Sequence, residues 1–314
     1  MCYSAQIWAG YKKYVRVWGA DLTIKQYKRL YWDRDQGFVS YIPKAMDADF
    51  ANPQTDDERE IKALIDKWDA GQASKFEQEV FKQRKRVADA ERTLLTKTTK
   101  KALEDLRIGG NKVEQALGKL ADLKRTTLED RDSRIFPDWY ASVMIVDDGK
   151  RVVKPMRYHC RPAGMPASID RTKDGKVSGT YNARRDNLER FWRGQFGYTH
   201  GVMEVETFYE NVENPDGTTR VVQFTPSTGE TMLVACLWSH WIDPAGKEPD
   251  LLSFAAITDQ PEPEVAAAGH DRTIINLKPE HVDAWLNPDP SNRAALYAIF
   301  DDKRHPYYEH RLAA

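Results

Sequence analysis

Residues 221–258 read VVQFTPSTGETMLVACLWSHWIDPAGKEPDLLSFAAIT, and this stretch decides the fold class. Three apolar runs, Val221–Phe224, Met232–Trp238 and Leu252–Thr258, are separated by residues that favour turns. Runs this short at this spacing predict antiparallel strands. The same signature recurs upstream. Tyr140–Val146 precedes Asp147-Asp148-Gly149, and Val202–Tyr209 precedes Asn214-Pro215-Asp216-Gly217. Short helices are predicted over Arg185–Trp192 and over Pro279–Leu286, the second opened by Lys278-Pro279-Glu280.

Residues 56–132 have a different character, dense in Lys, Glu, Asp, Arg and Ala, with apolar residues at helical spacing. Ile61, Leu64, Ile65 and Trp68 fall on one face, as do Phe76, Val80, Val87 and Leu94, and then Val113, Leu117 and Leu120. Ile108-Gly109-Gly110-Asn111 tolerates positive φ, so the reading places a turn there between two long helices. The basic run Lys82, Arg84, Lys85, Arg86 reads as the solvated face of a helix. The chain is therefore an α+β protein: a mainly antiparallel sheet body with flanking helices, interrupted by an inserted helical hairpin. The expected division is a discontinuous body over 1–50 and 133–290, a charged insert over 51–132, and a polar C-terminal tail over 291–314. The insert's apolar stripe would pack on its own body or serve a protein partner.

Of 314 residues, 47 are Lys or Arg and 48 are Asp or Glu, giving a net charge of -1. Such a balance exerts no global pull on nucleic acid, so any nucleic-acid site must be a local patch. Three cysteines, Cys2, Cys160 and Cys236, are too few and too scattered for a disulfide framework and point to a reducing interior. The sequence opens without a signal peptide and has no apolar run of membrane-spanning length, so the expectation is a cytoplasmic protein with no membrane partner. A metal site built from His159-Cys160 and from Cys236 with His240 lacks the second close pair a zinc signature requires. No metal or cofactor is expected.

Cys2 follows the initiator methionine, and a small second residue favours removal of Met1. A free N-terminal cysteine carries an amine that titrates near ~8 and a thiol near ~8.5 on adjacent carbons. Together they can close a five-membered ring on an aldehyde.

Four further segments carry ionisable or amide groups in strand or turn contexts: Asn182-Ala183-Arg184, Phe208-Tyr209-Glu210, Ala235-Cys236-Leu237-Trp238 and His270-Asp271-Arg272. In this order, behind Met1-Cys2, they resemble the SOS response-associated peptidase (SRAP) family, whose members shield abasic sites in single-stranded DNA. The chain departs from the family pattern at several places. Tyr3-Ser4 stands where the family has Gly-Arg, Asn211 where it has tryptophan, and Thr273-Ile274 where it has Met-Pro. Residues 155–162, from Pro155 to Pro162, occupy the place of Arg-Trp-Gly-Leu-Ile-Pro, with Tyr158 in the position of the tryptophan.

The resemblance implies a covalent crosslink to abasic sites in single-stranded DNA, through a thiazolidine formed by the processed Cys2, and a self-catalysed removal of Met1. It implies Cys2, Asn182, Glu210 and His270 as the catalytic set. Glu210 would be a proton donor, His270 an acid or base, and Asn182 a positioning amide. Arg184 would clamp phosphate, with Arg157, Arg161 and Arg193 as companions, and Tyr158, Phe208 or Trp192 would offer a ring for base stacking. A weak abasic-site lyase activity follows from the same imine. The rival readings are a cysteine peptidase acting on proteins, with Cys2, His270 and Asn182 as its triad, and a non-catalytic interaction module.

Overall fold

The computed structural model describes residues 3–7, 11–39, 41–214 and 216–313. In chain order the elements are β1 (Ser4–Ile7), α1 (Tyr11–Trp18), β2 (Asp21–Leu22), α2 (Ile24–Asp35), α3 (Lys44–Ala48), α4 (Asp56–Leu94) and α5 (Lys100–Lys124). There follow β3 (Arg134–Ile135), β4 (Tyr140–Asp147), β5 (Lys150–Tyr158), β6 (Asn182–Arg184), β7 (His200–Glu213), β8 (Thr219–Pro226), β9 (Met232–Trp241) and β10 (Leu251–Asp259). The chain ends with α6 (Pro263–Ala267), β11 (Thr273–Ile274), α7 (Val282–Leu286), α8 (Arg293–Asp301) and β12 (Tyr308–Leu312).

The strand pairings close on themselves. β4 pairs with β5 and β7, β7 with β9, β9 with β10, and β10 returns to β5. Of these contacts only β10 with β5 is parallel. Closure leaves the ring without the row of unpaired N–H and C=O groups that an open edge exposes. Alternation along each strand sends side chains to two cores. Val143 and Ile145 join Tyr31, Phe50, Phe208 and Phe224 on one side. Met144 joins Trp192, Phe196, Trp285 and Phe300 on the other.

The expected apolar runs are strands, but the sheet also takes segments that carry no such run. β5 holds Lys150, Arg151, Lys154 and Arg157, and β1 pairs with both β3 and β7. The stretch expected as a surface tail is part of the body. Leu296, Ile299 and Phe300 of α8 are buried, and β12 extends the sheet beside β8, because Tyr308 packs edge-on against Phe208. Arg185–Trp192 is not a helix. A single 3-10 turn at Arg185–Asn187 leads into successive turns. Leu188, Trp192 and Phe196 are nonetheless buried at the four-residue spacing that suggested one.

The helical hairpin forms, with its turn elsewhere than expected. α4 starts at a capping box in which Thr55 Oγ1 accepts from Glu58 N at 3.2 Å and Glu58 Oε2 accepts from Thr55 N at 3.3 Å. Its 39 residues span about 58 Å, and only the first turns, with Ile61 and Ile65, enter the body's core. The chain reverses over residues 95–99, where Thr99 caps α5 by accepting from Ala102 N at 3.1 Å. Gly109 and Gly110 lie inside α5. A Cβ on Gly109 would sit 2.8 Å from Val87 Cγ2, so the glycine serves the close approach of two helices rather than a turn. Ala102, Gly109 and Ala116 recur every seventh residue as the buried seam. The basic run is largely solvated, and Arg86 is tied to Asp105, with Nε 2.8 Å from Oδ1.

These two glycines predict opposite outcomes. Gly110 has open space around its Cα, so Gly110→Ala should raise hairpin stability by about 0.5–1 kcal/mol through helix propensity. Gly109→Leu should lower it by about 1–3 kcal/mol through overpacking. Urea unfolding of both variants checks the contrast.

Candidate active site

The second half of β7 leaves the closed ring and is clasped between β1, through Ser4 opposite Tyr209, and β8, through Val222 opposite Glu210. Neighbouring residues on a strand face opposite ways, so Tyr209 and Glu210 diverge. Glu210 is 0% exposed. Burial pushes its carboxyl up to about 8, partly opposed by the backbone N–H of Tyr3. That same N–H lies 3.2 Å from the Tyr209 carbonyl and continues the β1 ladder to its N-terminal end. Met1 and Cys2 lie outside the described residues.

His270 reaches Glu210 because of how α6 ends. Gly269 N–H donates to Ala266 O at 2.9 Å and His270 N–H to Val265 O at 3.1 Å, the paired bonds of a Schellman cap. The cap requires a left-handed residue, and Gly269 has φ +97°. A Cβ at Gly269 would fall 2.9 Å from Val212 Cγ1, on the same face of β7 as Glu210. The turn therefore packs directly on β7 and sets His270 Nε2 at 3.4 Å from Glu210 Oε2. Nδ1 lies 2.9 Å from the Arg272 carbonyl and 3.3 Å from the Arg272 N–H; the shorter contact, to an acceptor, favours the ring hydrogen on Nδ1 and the Nε2 lone pair toward Glu210. Burial lowers the His270 pKa. At neutral pH the pair is thus a protonated carboxyl against a neutral imidazole, with one mobile proton between them.

Asp186 joins this turn to β6. It takes the Arg184 guanidinium at 3.0 Å from Nε and lies 3.8 Å from Arg272 Nη2. Arg184 is exposed at this junction, whereas Arg272 is buried; Arg272 is an addition to the residues singled out from sequence. Asn182, at the start of β6, is buried with Tyr158 Oη 3.4 Å from its Oδ1.

Several expected DNA contacts fall elsewhere. Tyr158, Phe208 and Trp192 are all buried in the cores and present no ring to solvent. Arg157 gives Nη1 to Asp170 at 2.9 Å, and Arg161 is held by Asp170 and by Glu248 while lying over Trp241. Both line a mixed-charge cavity of about 440 Å³ with Tyr41 and Asp138. Arg193 is exposed.

The internal cysteines are buried, and burial raises the Cys160 thiol to about 12 and Cys236 above the usual thiol range. Neither is a competent nucleophile at neutral pH. His159 uses both ring nitrogens, at 2.7 Å from Asp138 and 2.9 Å from Ser178, and His240 lies 3.3 Å from Asp250. Among the described residues no group of three or more His, Cys, Asp or Glu side chains converges as a metal site, and no helix is long and apolar enough to cross a membrane.

The raised Glu210 pKa fixes the sign of a stability effect. The folded protein favours the protonated form, so its advantage is full below the ordinary glutamate value and is lost as pH rises through about 8. Glu210→Gln removes that titration. Its melting temperature relative to the parent chain should rise between about pH 5 and about pH 9, as read by thermal scans at the two pH values.

Residues 91–311 match the family model described as SOS response associated peptidase (SRAP). No curated protein matches the chain. Among solved structures it is similar to a protein from Bordetella bronchiseptica, at 17% identity and TM-score 0.46, over 58% of this chain and 87% of that one. It is also similar to a protein from Bacteroides thetaiotaomicron, at 13% identity and TM-score 0.45, over 58% of this chain and 78% of that one. A phage-related protein from Bordetella bronchiseptica shows 16% identity and TM-score 0.42, over 61% and 85% of the two chains. With well over half of its length matched, the chain belongs to the SOS response associated peptidase (SRAP) family.

Proposed function

We propose that this protein captures abasic sites in single-stranded DNA covalently through Cys2 once Met1 is removed. The observation that carries the reading is the fully buried Glu210 carboxyl, held 3.4 Å from His270 and facing the Tyr3 N–H, where burial pushes its pKa up to about 8. Tyr3 is one peptide bond from Cys2, and successive Cα atoms are about 3.8 Å apart. An acid at that place meets what the reaction needs.

The amine of Cys2 attacks the open-chain aldehyde of the abasic sugar, and the carbinolamine loses water to give an imine. Glu210 donates the proton that lets the oxygen leave as water, and His270 relays a proton back to it. The Cys2 thiol then adds across the C=N bond, sulfur to carbon and hydrogen to nitrogen, closing the thiazolidine. Asn182 positions the amine, and Arg184, exposed beside the His270 turn, exchanges its Asp186 partner for a phosphate. Removal of Met1 uses the same groups: the Cys2 thiol, or a water activated by the ionised fraction of Glu210, attacks the Met1–Cys2 peptide. β-Elimination from the imine, in which the proton on the carbon next to it is lost and the 3′ phosphate leaves, would add a weak lyase activity.

The test is incubation of the processed protein with single-stranded DNA carrying one abasic site. A heat-stable adduct is expected with the parent chain and none with Cys2→Ala or with intact DNA. Equal adduct in Cys2→Ala would sink the proposal. With the parent chain, the crosslinking rate should fall as pH rises through about 8, because the acid form of Glu210 is lost. Glu210→Gln should be slower by about 10²-fold or more and lack that pH limb. Capture by acyl electrophiles together with cleavage of unrelated peptides would favour a cysteine peptidase instead.

A further inference from the structure

Arg134, on β3, has no carboxylate within 4.0 Å among the described residues, whereas Arg157, Arg161 and Arg184 are each paired with an acid. Its Nε and Nη2 lie 3.0 and 2.9 Å from Ser4 Oγ. Its guanidinium stacks at 3.7 Å over the Tyr209 ring and stands 5.0 Å from Phe136. Burial lowers its pKa, a sign that the charge is held at a cost that no neighbouring acid offsets. A half-buried guanidinium kept in this way is a site for an incoming anion.

Beside it runs a line of rings. Tyr3 meets Phe136 at 5.8 Å, Phe136 meets Trp139 at 5.7 Å, and Trp139 stacks with Tyr41 at 5.8 Å and 13° between planes. The two ends are open to solvent, Tyr3 at 38% and Tyr41 at 52% exposure. Asp138, between Phe136 and Trp139 in sequence, is turned away onto His159 and Arg171 and so does not repel an anion from the stripe. Isolated exposed aromatics are unremarkable on a protein surface. Four in contact, starting at the residue after Cys2 and accompanied by an acid-free arginine, are not isolated.

We infer that Arg134 and the Tyr3–Phe136–Trp139–Tyr41 stripe form the track on which single-stranded DNA lies as it enters the site, with Arg134 on a backbone phosphate and the end rings stacked on bases. The inference rests on the proposed function for the identity of the strand. It differs in predicting binding of intact DNA, where no covalent step occurs. Bases stack on aromatic faces without regard to sequence, and a guanidinium on phosphate gives salt-dependent affinity. Arg134 lies over Tyr209, which faces away from Glu210 on β7, so the track approaches the N-terminal end of β1 from the side opposite the Glu210–His270 pair.

The probe is a fluorescent oligothymidylate without any abasic site, bound at several salt concentrations. Arg134→Gln should weaken binding and reduce the slope of log affinity against log salt by about 0.7, the loss of one phosphate contact. Tyr41→Ala, at an exposed ring far from the core, should weaken binding by about fivefold or more with the slope unchanged, and it carries the test should Arg134→Gln melt early. Unchanged affinity in Tyr41→Ala and in a folded Arg134→Gln, or no binding by the parent chain, overturns the inference. The two proposals fail separately. Binding that depends on Arg134 and Tyr41 with no adduct on an abasic strand rejects the covalent reading alone; an adduct whose rate at low DNA concentration ignores both substitutions rejects the track alone.

Discussion

A carboxyl group with no exposure to water must be neutral or compensated, and the placement of Glu210 imposes that constraint on everything around it. The carboxyl sits where β7 is paired on both edges, so it cannot relax outward to solvent. Burial then holds a proton on it through the neutral range. The imidazole beside it is held in one tautomer by the Arg272 carbonyl, and the approach of that imidazole depends on a glycine that a methyl group would convert into a clash with Val212. One backbone position thus governs whether the acid has a proton relay.

The same strand fixes the chain close to its N-terminus. Chain termini are ordinarily the least ordered part of a domain. Here β1 is fixed on both sides, by β3 through Ala5 opposite Ile135 and by β7 through Ser4 opposite Tyr209. Ala5 and Ile7 are buried, and Arg134 closes over Ser4. On the proposed function, a strand anchored this close to the reacting residue would lower the entropy lost at the moment of reaction, which is how positioned groups gain rate.

Much of this architecture was legible from local pattern. The apolar runs at Tyr140, Val202, Met232 and Leu252 became strands because short continuous apolar runs, buried on both faces, and turn residues agree at those places. Charged β5 and polar β12 were not legible, because their membership in the sheet comes from partners far away in sequence. Gly109-Gly110 misled for a physical reason. Glycine signals both a left-handed turn and a close helix approach, and only the packing of Val87 distinguishes them. The true start of α5 is set by Thr99, whose side chain caps the helix. At the candidate site, segments around Asn182, Glu210 and His270 could be picked out one by one. Their mutual geometry could not, since it depends on a helix cap at one end of the chain meeting a strand in the middle.

The expected DNA-binding residues show where one-dimensional reading fails most. An arginine in sequence carries a charge; in the fold it carries whatever charge its neighbours leave over. Arg157 and Arg161 are both spent on Asp170, an aspartate in a polar loop that gives no sign of its partners. Arg134 stood in an unremarkable run between Ser133 and Ile135, yet it alone of these three meets no acid among the described residues. The aromatic rings beside it come from positions 3, 41, 136 and 139, three separate segments of chain. Electrostatic availability is thus a property of pairing in space, and an evenly balanced composition conceals the place where pairing is incomplete. In this protein one such place borders β1, which begins at Ser4, and not the basic face of α4, where Arg86 is held by Asp105.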